Sequence, residues 1–427
     1  MRAVLASYGS RGDIEPCAAV ARELQARGHD VQLAVPPDLI PLVESVGLEA
    51  VPYGIDSRKP LEAQRRMHTS RGGVRNVTEA VVSGREASRH LTRVWSEAGP
   101  TLRRLCRGAD VIFTGLFFEQ ITANVAEHYD IPLVAMHYTP VRPNGQLALG
   151  RRRPPALVLG AMTSYNWAWF LQTMNLDNAQ RRALGMPMAN RPVSQRIADR
   201  GWLEIQAYDE PVFPGLSDEW SQHGDRRPFV GGLTLELPAE ADDEVLAWIA
   251  DGDPPIYFGF GSVPLGSPVD TYSMITNVCA QLGQRALICA GGTSFDDVRG
   301  ADDVKVVSAV NHATVFPACR AVVHGGTGAT TAGLRAGVPA VVLWTLLGQR
   351  IWGAQLEMLK LGATRRLSTV TRRTLFDDLS RVLEPECAQR AGAFAHRMTR
   401  APDSAAHAAD LVERSAGHSC QAFGRGA

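Results

Sequence analysis

The sequence predicts an α/β protein made of two doubly wound, Rossmann-like domains that face each other across a cleft. Three observations carry this expectation. Short apolar runs alternate with segments of helical period, and the runs are almost continuously apolar, as strands are in a parallel sheet covered on both faces. The alternation lapses in a segment rich in Pro, Gly, Asp and Ser at 211–233 and then starts again. The 427 residues also exceed what one hydrophobic core usually serves. The expected division is a first domain at 1–215, a linker at 216–235, a second domain at 236–400, and a helix and tail at 401–427 that cross back to the first domain.

Taken in order, residues 2–7 read as a buried strand. A helix is expected over 14–27, with Pro16 in its first turn, where a missing N–H costs nothing, and Gly28 just past its end. Cys17, Val20, Ala21 and Leu24 share one face of that helix. "VQLAV" (31–35) is the second strand, and a short helix leads to "LEAV" (48–51). "DVIFTGL" (110–116) and "IPLVAMHY" (131–138) are strands separated by a helix. "PPIYFGFGS" (254–262), "RALICAGG" (285–292), "VKVVSAV" (304–310), "RAVVHGG" (320–326) and "PAVVLWT" (339–345) then repeat the architecture without repeating the sequence. Ligands of doubly wound sheets sit beyond the carboxyl ends of the strands, so the site belongs in the cleft.

Composition removes several function classes. The 44 basic and 44 acidic residues cancel, leaving no global basic field, and no nucleic-acid partner is expected. The seven cysteines, odd in number and without a C-x-x-C pair, fit reduced cytoplasmic thiols better than a disulfide frame or zinc site. "SRGDIE" interrupts the opening apolar run too early for a secretion signal, and no run of about 18 apolar residues spans a membrane. The expected location is cytoplasmic. Two segments suggest peripheral contact with the inner face of a membrane. Residues 58–109 carry twelve basic side chains against four glutamates, and "RRRPPALVLGAM" (151–162) is basic, then apolar. A solvated helical face is the plainer explanation of the first.

The stretch richest in chemistry is "AVVHGGTGATTAGLRAGVPAVVLW" (321–344). A strand runs into a turn of His324, Gly325, Gly326, Thr327 and Gly328, and a helix follows. Backbone N–H groups at a helix N-terminus, left open by glycines, bind phosphate oxygens, and the helix dipole adds to this. The turn is neither a P-loop, having no lysine, nor a dinucleotide fingerprint, since Thr331 replaces the third glycine and no carboxylate stands in 346–350. At the other end of the chain, "YGSRGDIEP" (8–16) sets Arg11 and Asp13 on a glycine-kinked turn after the first strand. Asp13 there is open to two roles, a helix cap or a chemical one.

These motifs together resemble one family. "HGGTGAT" (324–330), "AGVP" (336–339) and "GQRIW" (348–352) resemble the donor signature of family 1, GT-B fold glycosyltransferases. "GSRGDIEP" with "GHDVQLAVP" (28–36), and "FGFGS" (258–262), resemble further parts of it, and the likeness is to bacterial enzymes that glycosylate antibiotics, sterols and glycolipids. The resemblance implies that the second domain holds a nucleoside diphosphate sugar, on thymidine or uridine diphosphate, and the first an acceptor. The diphosphate would sit on Gly325, Gly326, Thr327 and Gly328, beside His324 and Ser262, with Ser10 and Arg11 reaching it from the first domain. Arginine suits it because its planar fork donates two charge-assisted bonds. Asn311 and His312 would frame the base, and Gln349 would bind sugar hydroxyls. Asp13 would be the general base that deprotonates an acceptor hydroxyl in a single, inverting displacement. No metal or other cofactor is required by this scheme.

The departures from the family pattern are informative. Gly348 stands where an acidic residue usually precedes Gln349, which removes two acceptor oxygens for sugar hydroxyls and points to a 6-deoxyhexose or similarly depleted donor. Ala329 replaces the hydroxyl residue of the phosphate turn, leaving Thr327 or Thr330 to substitute, and Val323 replaces a frequent histidine. "DGD" (251–253) spells a metal-binding pattern but reads as a turn into a strand. His137 is expected as an acceptor contact or an alternative base, against a structural role. "LVLGAMTSYNWAWFLQTM" (157–174) is a candidate wall for a bulky lipophilic acceptor, against an ordinary core helix. Two rival functions share the fold: a non-catalytic activator or binding protein, and a nucleotide-sugar epimerase.

Overall fold

The computed structural model describes residues 1–58, 77–147, 154–259, 261, 267–291 and 303–423, with backbone only at 77–87 and 418–423. Two six-stranded parallel sheets form the molecule. The first contains β1 (Arg2–Ala6), β2 (Asp30–Val35), β3 (Ala50–Pro52), β4 (Val111–Thr114), β5 (Leu133–His137) and β6 (Leu203–Gln206). The second contains β7 (Ile256–Gly259), β8 (Ala286–Cys289), β9 (Val304–Val307), β10 (Ala321–His324), β11 (Ala340–Trp344) and β12 (Gly362–Arg366). Their orders are β3-β2-β1-β4-β5-β6 and β12-β11-β10-β7-β8-β9. Counted from its own first strand, each half has the same 3-2-1-4-5-6 order, so each has one topological switch point, β1/β4 in the first and β7/β10 in the second.

The continuous apolar runs have the cause expected of them. In β1, Ala3 and Leu5 pack into one core and Val4 and Ala6 into another on the opposite face. In β10, Val322 and Val323 divide in the same way. Helix α1 (Arg11–Ala26) buries Cys17, Val20, Ala21 and Leu24 on the first sheet. It begins earlier than the sequence suggests, because Ser10, at φ −84° and ψ 177°, is the N-cap.

Helix α2 (Val77–Leu105) buries Val94, Trp95, Ala98 and Leu102 and exposes Arg89, Arg93, Arg103 and Arg104, the solvated face that the basic stretch 58–109 admits. The basic residues at 59–76 and 151–153 lie outside the described residues. Helix α3 (Glu119–Tyr129) follows β4, and α4 (Pro155–Ala183) is a long helix on the first half. The segment 216–235 is tied down: Leu216, Trp220, Val230, Leu233 and Leu235 are all buried, and Gln206 bridges to Phe229. In the second half, α5 (Thr327–Ala336) follows β10 and α6 (Leu347–Leu359) follows β11. The chain ends in α7 (Ala401–Phe423), whose Ala408, Ala409, Leu411 and Val412 join the core of the first half beneath α1. Arg27, just past α1, is clamped to α7 by Asp410 at 2.6 Å and Glu413 at 3.1 Å.

Candidate active site

One wall grows from the carboxyl end of β1. Gly9 turns the chain at φ +142°, and a Cβ there would stand 2.3 Å from Asp13 Oδ2. Only glycine lets the carboxylate fold back so closely. Asp13 is the third residue of α1, not its N-cap. Its Oδ2 accepts the Ser10 N–H at 2.6 Å and the Ser10 hydroxyl at 2.8 Å. The first of these is half of a capping box, which satisfies an amide at the helix start. Its Oδ1 accepts the hydroxyl of Tyr138, the residue after β5. Asp13 is 8% exposed, while the Arg11 side chain is 56% exposed and pairs with Glu15 at 3.3 Å.

The other wall grows from β10. His324 is the last residue of that strand, in register with Gly259 of β7, and is buried. Neither ring nitrogen has a hydrogen-bond partner among the described residues. Burial, with His312 adding like-charge repulsion, lowers its pKa to about 3, so the ring is neutral at pH 7 and carries one N–H donor. Gly326 then caps α5. A methyl group at Gly326 or Gly328 would meet nothing within 4 Å among the described residues, so packing there demands neither glycine. Thr330 is buried and its hydroxyl donates to the Gly326 carbonyl at 3.0 Å. Thr327, partly exposed in the same turn, is therefore the better placed of the two threonines to meet a ligand.

Three expected donor residues flank this turn. Asn311 is the N-cap of the short helix His312–Val315, its Oδ1 accepting the Ala313 N–H at 3.0 Å. The His312 ring stacks on Phe316 at 4.4 Å and shares a hydrogen bond with the Tyr257 hydroxyl at 3.2 Å. Burial first, and the Arg11 charge second, lower the His312 pKa to about 4. Arg11 of the first half is thus near enough to the second to act on His312 electrostatically. Gln349 spends its Oε1 on the start of α6, accepting from Thr345 N–H at 2.7 Å and Leu346 N–H at 3.0 Å, which leaves its NH2 end for a ligand. Position 348 faces the first half: a Cβ on Gly348 would lie 3.7 Å from Thr139 Oγ1. Ser262 lies outside the described residues.

His137 occupies the structural setting that the sequence leaves open beside an acceptor role. His137 is fully buried in a network, with its Nε2 on Glu119 Oε1 at 2.6 Å and Arg142 bonded to both Glu119 and Glu204. Strand β5 directs it into the protein, while its neighbour Tyr138 faces Asp13. The aspartates of "DGD" lie on the turn between the helix Asp242–Ala250 and β7, where Arg285 binds the Asp253 carbonyl at 3.1 Å.

The segment 157–174 lies in α4. Val158, Phe170 and Thr173 are buried, but Leu157 (64%), Tyr165 (66%) and Leu171 (61%) are broadly exposed, so it is not an ordinary core helix. No charged residue occurs from 154 to 176. Sequence reasoning missed Tyr138 and Trp352. The Trp352 indole, from α6, donates to the Tyr138 carbonyl across the two halves at 3.1 Å. Both residues lie inside stretches singled out for other reasons, and nothing local marks them as partners.

Comparison with known proteins agrees with this geometry. The family model "Glycosyltransferase family 28 N-terminal domain" matches residues 3–142. An uncharacterised glycosyltransferase of Mycobacterium tuberculosis is 50% identical over 418 residues, covering 97% of this chain and 99% of that protein. The vancomycin aglycone glucosyltransferase of Amycolatopsis orientalis is 28% identical, covering 96% of this chain and 97% of its own. Among solved structures, the calicheamicin glycosyltransferase CalG4 superposes with a TM-score of 0.68 at 18% identity, covering 98% of this chain and 99% of its own. The glycosyltransferase VinC, in complex with dTDP, does so at 0.63 and 17% identity, covering 98% and 100%. With two like-ordered parallel sheets and a half-identical relative along nearly its whole length, this chain belongs to the GT-B glycosyltransferases.

Proposed function

We propose that the protein is an inverting transferase that moves a sugar, a 6-deoxyhexose carried on thymidine or uridine diphosphate, to a hydroxyl of a bulky lipophilic acceptor. The observation that carries this reading is the pairing of two strand ends. A nearly buried carboxylate is fixed after β1, and a glycine turn that caps a helix follows β10. In the proposed step, the acceptor oxygen attacks the anomeric carbon while Asp13 takes its proton. The bond from that carbon to the β-phosphate oxygen breaks, and its electron pair leaves with the nucleoside diphosphate. The α5 amides, the neutral His324 N–H, Thr327 and Arg11 would receive the developing charge. One displacement at one carbon inverts it. The scheme needs no metal, since amides and guanidinium supply the stabilisation.

The dTDP bound to VinC supports the nucleotide class, and a spinosyn rhamnosyltransferase among the structural neighbours supports the sugar class. The uncharged, exposed face of α4 suits a lipophilic acceptor, or a bilayer that delivers one through peripheral contact. No described helix is long and apolar enough to cross a membrane.

The test begins with a thermal-shift screen of nucleotide sugars and mass spectrometry of lipid extracts incubated with the best donor. Asp13→Asn should then bind that donor with unchanged affinity and lose turnover by about 10²- to 10⁴-fold, the range for a general base. Sugar transfer that survives this substitution refutes the base. Donor binding without any sugar-dependent release of nucleoside diphosphate would instead support a binding protein.

A further inference from the structure

A base is useful only if its lone pair points at the proton it takes, and for Asp13 that aim is set from outside the donor and acceptor sets. One carboxylate oxygen, Oδ2, is anchored by Ser10 in the first turn of its own helix. The other, Oδ1, is held by the Tyr138 hydroxyl, which comes from beyond β5. Tyr138 is in turn held from the opposite half of the molecule. Trp352 Nε1 donates to the Tyr138 carbonyl at 3.1 Å and lies 3.3 Å from Thr139 Oγ1. Trp352 is 1% exposed and wedged edge-on against Phe213, at 5.4 Å and 79°, and Tyr208, at 6.4 Å and 90°. A chain of contacts therefore runs from α6, through the backbone of residue 138, to the carboxylate.

We propose that Tyr138 is a positioning residue for the base, and that Trp352 makes this positioning depend on the two halves being docked. The proposal rests on the reading of Asp13 as base. Burial, and then the charge of Asp13, hold the Tyr138 phenol far above its ordinary range, so it stays a donor at every working pH. A phenol O–H on Oδ1 fixes the plane of the carboxylate and favours its ionised form. When the halves separate, the Trp352 tie is lost and Tyr138 is free to shift. The base is then aimed only when the donor wall is in place.

Among the described residues, these titratable groups stand near Asp13. Cys17 lies one turn along α1, and burial pushes its thiol up to about 12. Arg11, paired with Glu15, lies on the outer side, and its charge reaches His312 of the second half, which burial first and then Arg11 lower to about 4. The acid limb of kcat/KM, compared between wild type and variant, is the readout chosen for the base.

Tyr138→Phe keeps the ring and removes the hydroxyl. The expected result is a kcat lower by about 10- to 100-fold, from a misaimed reacting group, with KM for the nucleotide sugar unchanged. The acid limb of kcat/KM should move up by about one pH unit, because the carboxylate loses a donor. Trp352→Phe removes the indole N–H but keeps an aromatic wedge, and should move kcat and the acid limb in the same direction by a smaller amount. A purely structural role would lower the melting temperature of either variant without moving the acid limb. Wild-type kcat and an unmoved acid limb in Tyr138→Phe overturn the proposal. An unmoved profile in Trp352→Phe overturns its docking half, and that variant can still be read should Tyr138→Phe not fold. Turnover retained in Asp13→Asn would overturn the base reading itself, whatever Tyr138→Phe does.

Discussion

A side chain at position 9 would have to adopt φ +142° and put its Cβ 2.3, 2.5 and 2.8 Å from Oδ2, Cγ and Cβ of Asp13. Three atoms of a short side chain cannot all give way. Gly9→Ala should therefore cost stability by about 1–3 kcal/mol and expel the carboxylate from the Ser10 cap. Thermal unfolding and the Asp13-dependent turnover should fall together. Position 348 is the opposite case. Among the described residues a Cβ there meets Thr139 Oγ1 alone, at an ordinary 3.7 Å, so Gly348→Asp is sterically admissible and returns two acceptor oxygens. Its expected effect is a shift in donor preference toward fully hydroxylated hexoses, read as a ratio of kcat/KM values, with little change in melting temperature. Equal preference before and after would remove the argument for a 6-deoxy donor.

Helix α5 shows how an element can trade stability for a ligand. Gly326 and Gly328 have room for a methyl group, and neither needs a positive φ. Glycine in a helix costs about 0.5–1 kcal/mol relative to alanine, so Gly328→Ala should stabilise the protein by several tenths of a kcal/mol or more. The same methyl would stand among the first-turn amides proposed to hold the diphosphate. Weaker binding of nucleoside diphosphate in isothermal titration, together with a raised melting temperature, is the expected pair of outcomes. A stabilised variant with undiminished binding would move the anion site elsewhere. Helix α4 makes a different trade, leaving Leu157, Tyr165 and Leu171 in water within a stretch without a single charge. Such a surface is costly unless something apolar covers it in use.

Across the whole molecule, stability against acid should fail in two steps. His324 and His312 titrate near 3 and 4 when folded, against about 6.5 for free histidine. Their folded pKa values are depressed, so the unfolded chain takes up protons that the folded chain refuses. Their stabilisation is complete above pH 6.5 and is lost as pH falls toward 4. Glu204 is held near 2 by Arg142, against the cost of its burial, so its share is lost only below the ordinary carboxylate range. The melting temperature should decline from pH 6.5 to 4, more shallowly in His324→Gln, and then fall again below 4. A flat profile above pH 5 would show that the histidine rings are not buried as described.

The sequence by itself determined the alternation of strands and helices, the burial of both faces of each sheet, and the two turns that carry chemistry. Those are local consequences of apolar runs, glycines and caps, which act over a few residues. Asp13 at the start of the first helix and the Gly326–Gly328 turn could be read because both are local, although the N-cap itself is Ser10, three residues before Asp13. What a strand end faces is not local. His137 and Tyr138 are consecutive, yet β5 turns one into a buried ion network and the other onto Asp13. Only the pairing of β5 between β4 and β6 decides which is which, since a strand alternates its faces and the register fixes the phase. The Trp352 contact to Tyr138 joins residues 214 positions apart through the docking of two separate sheets, an arrangement no short-range pattern encodes.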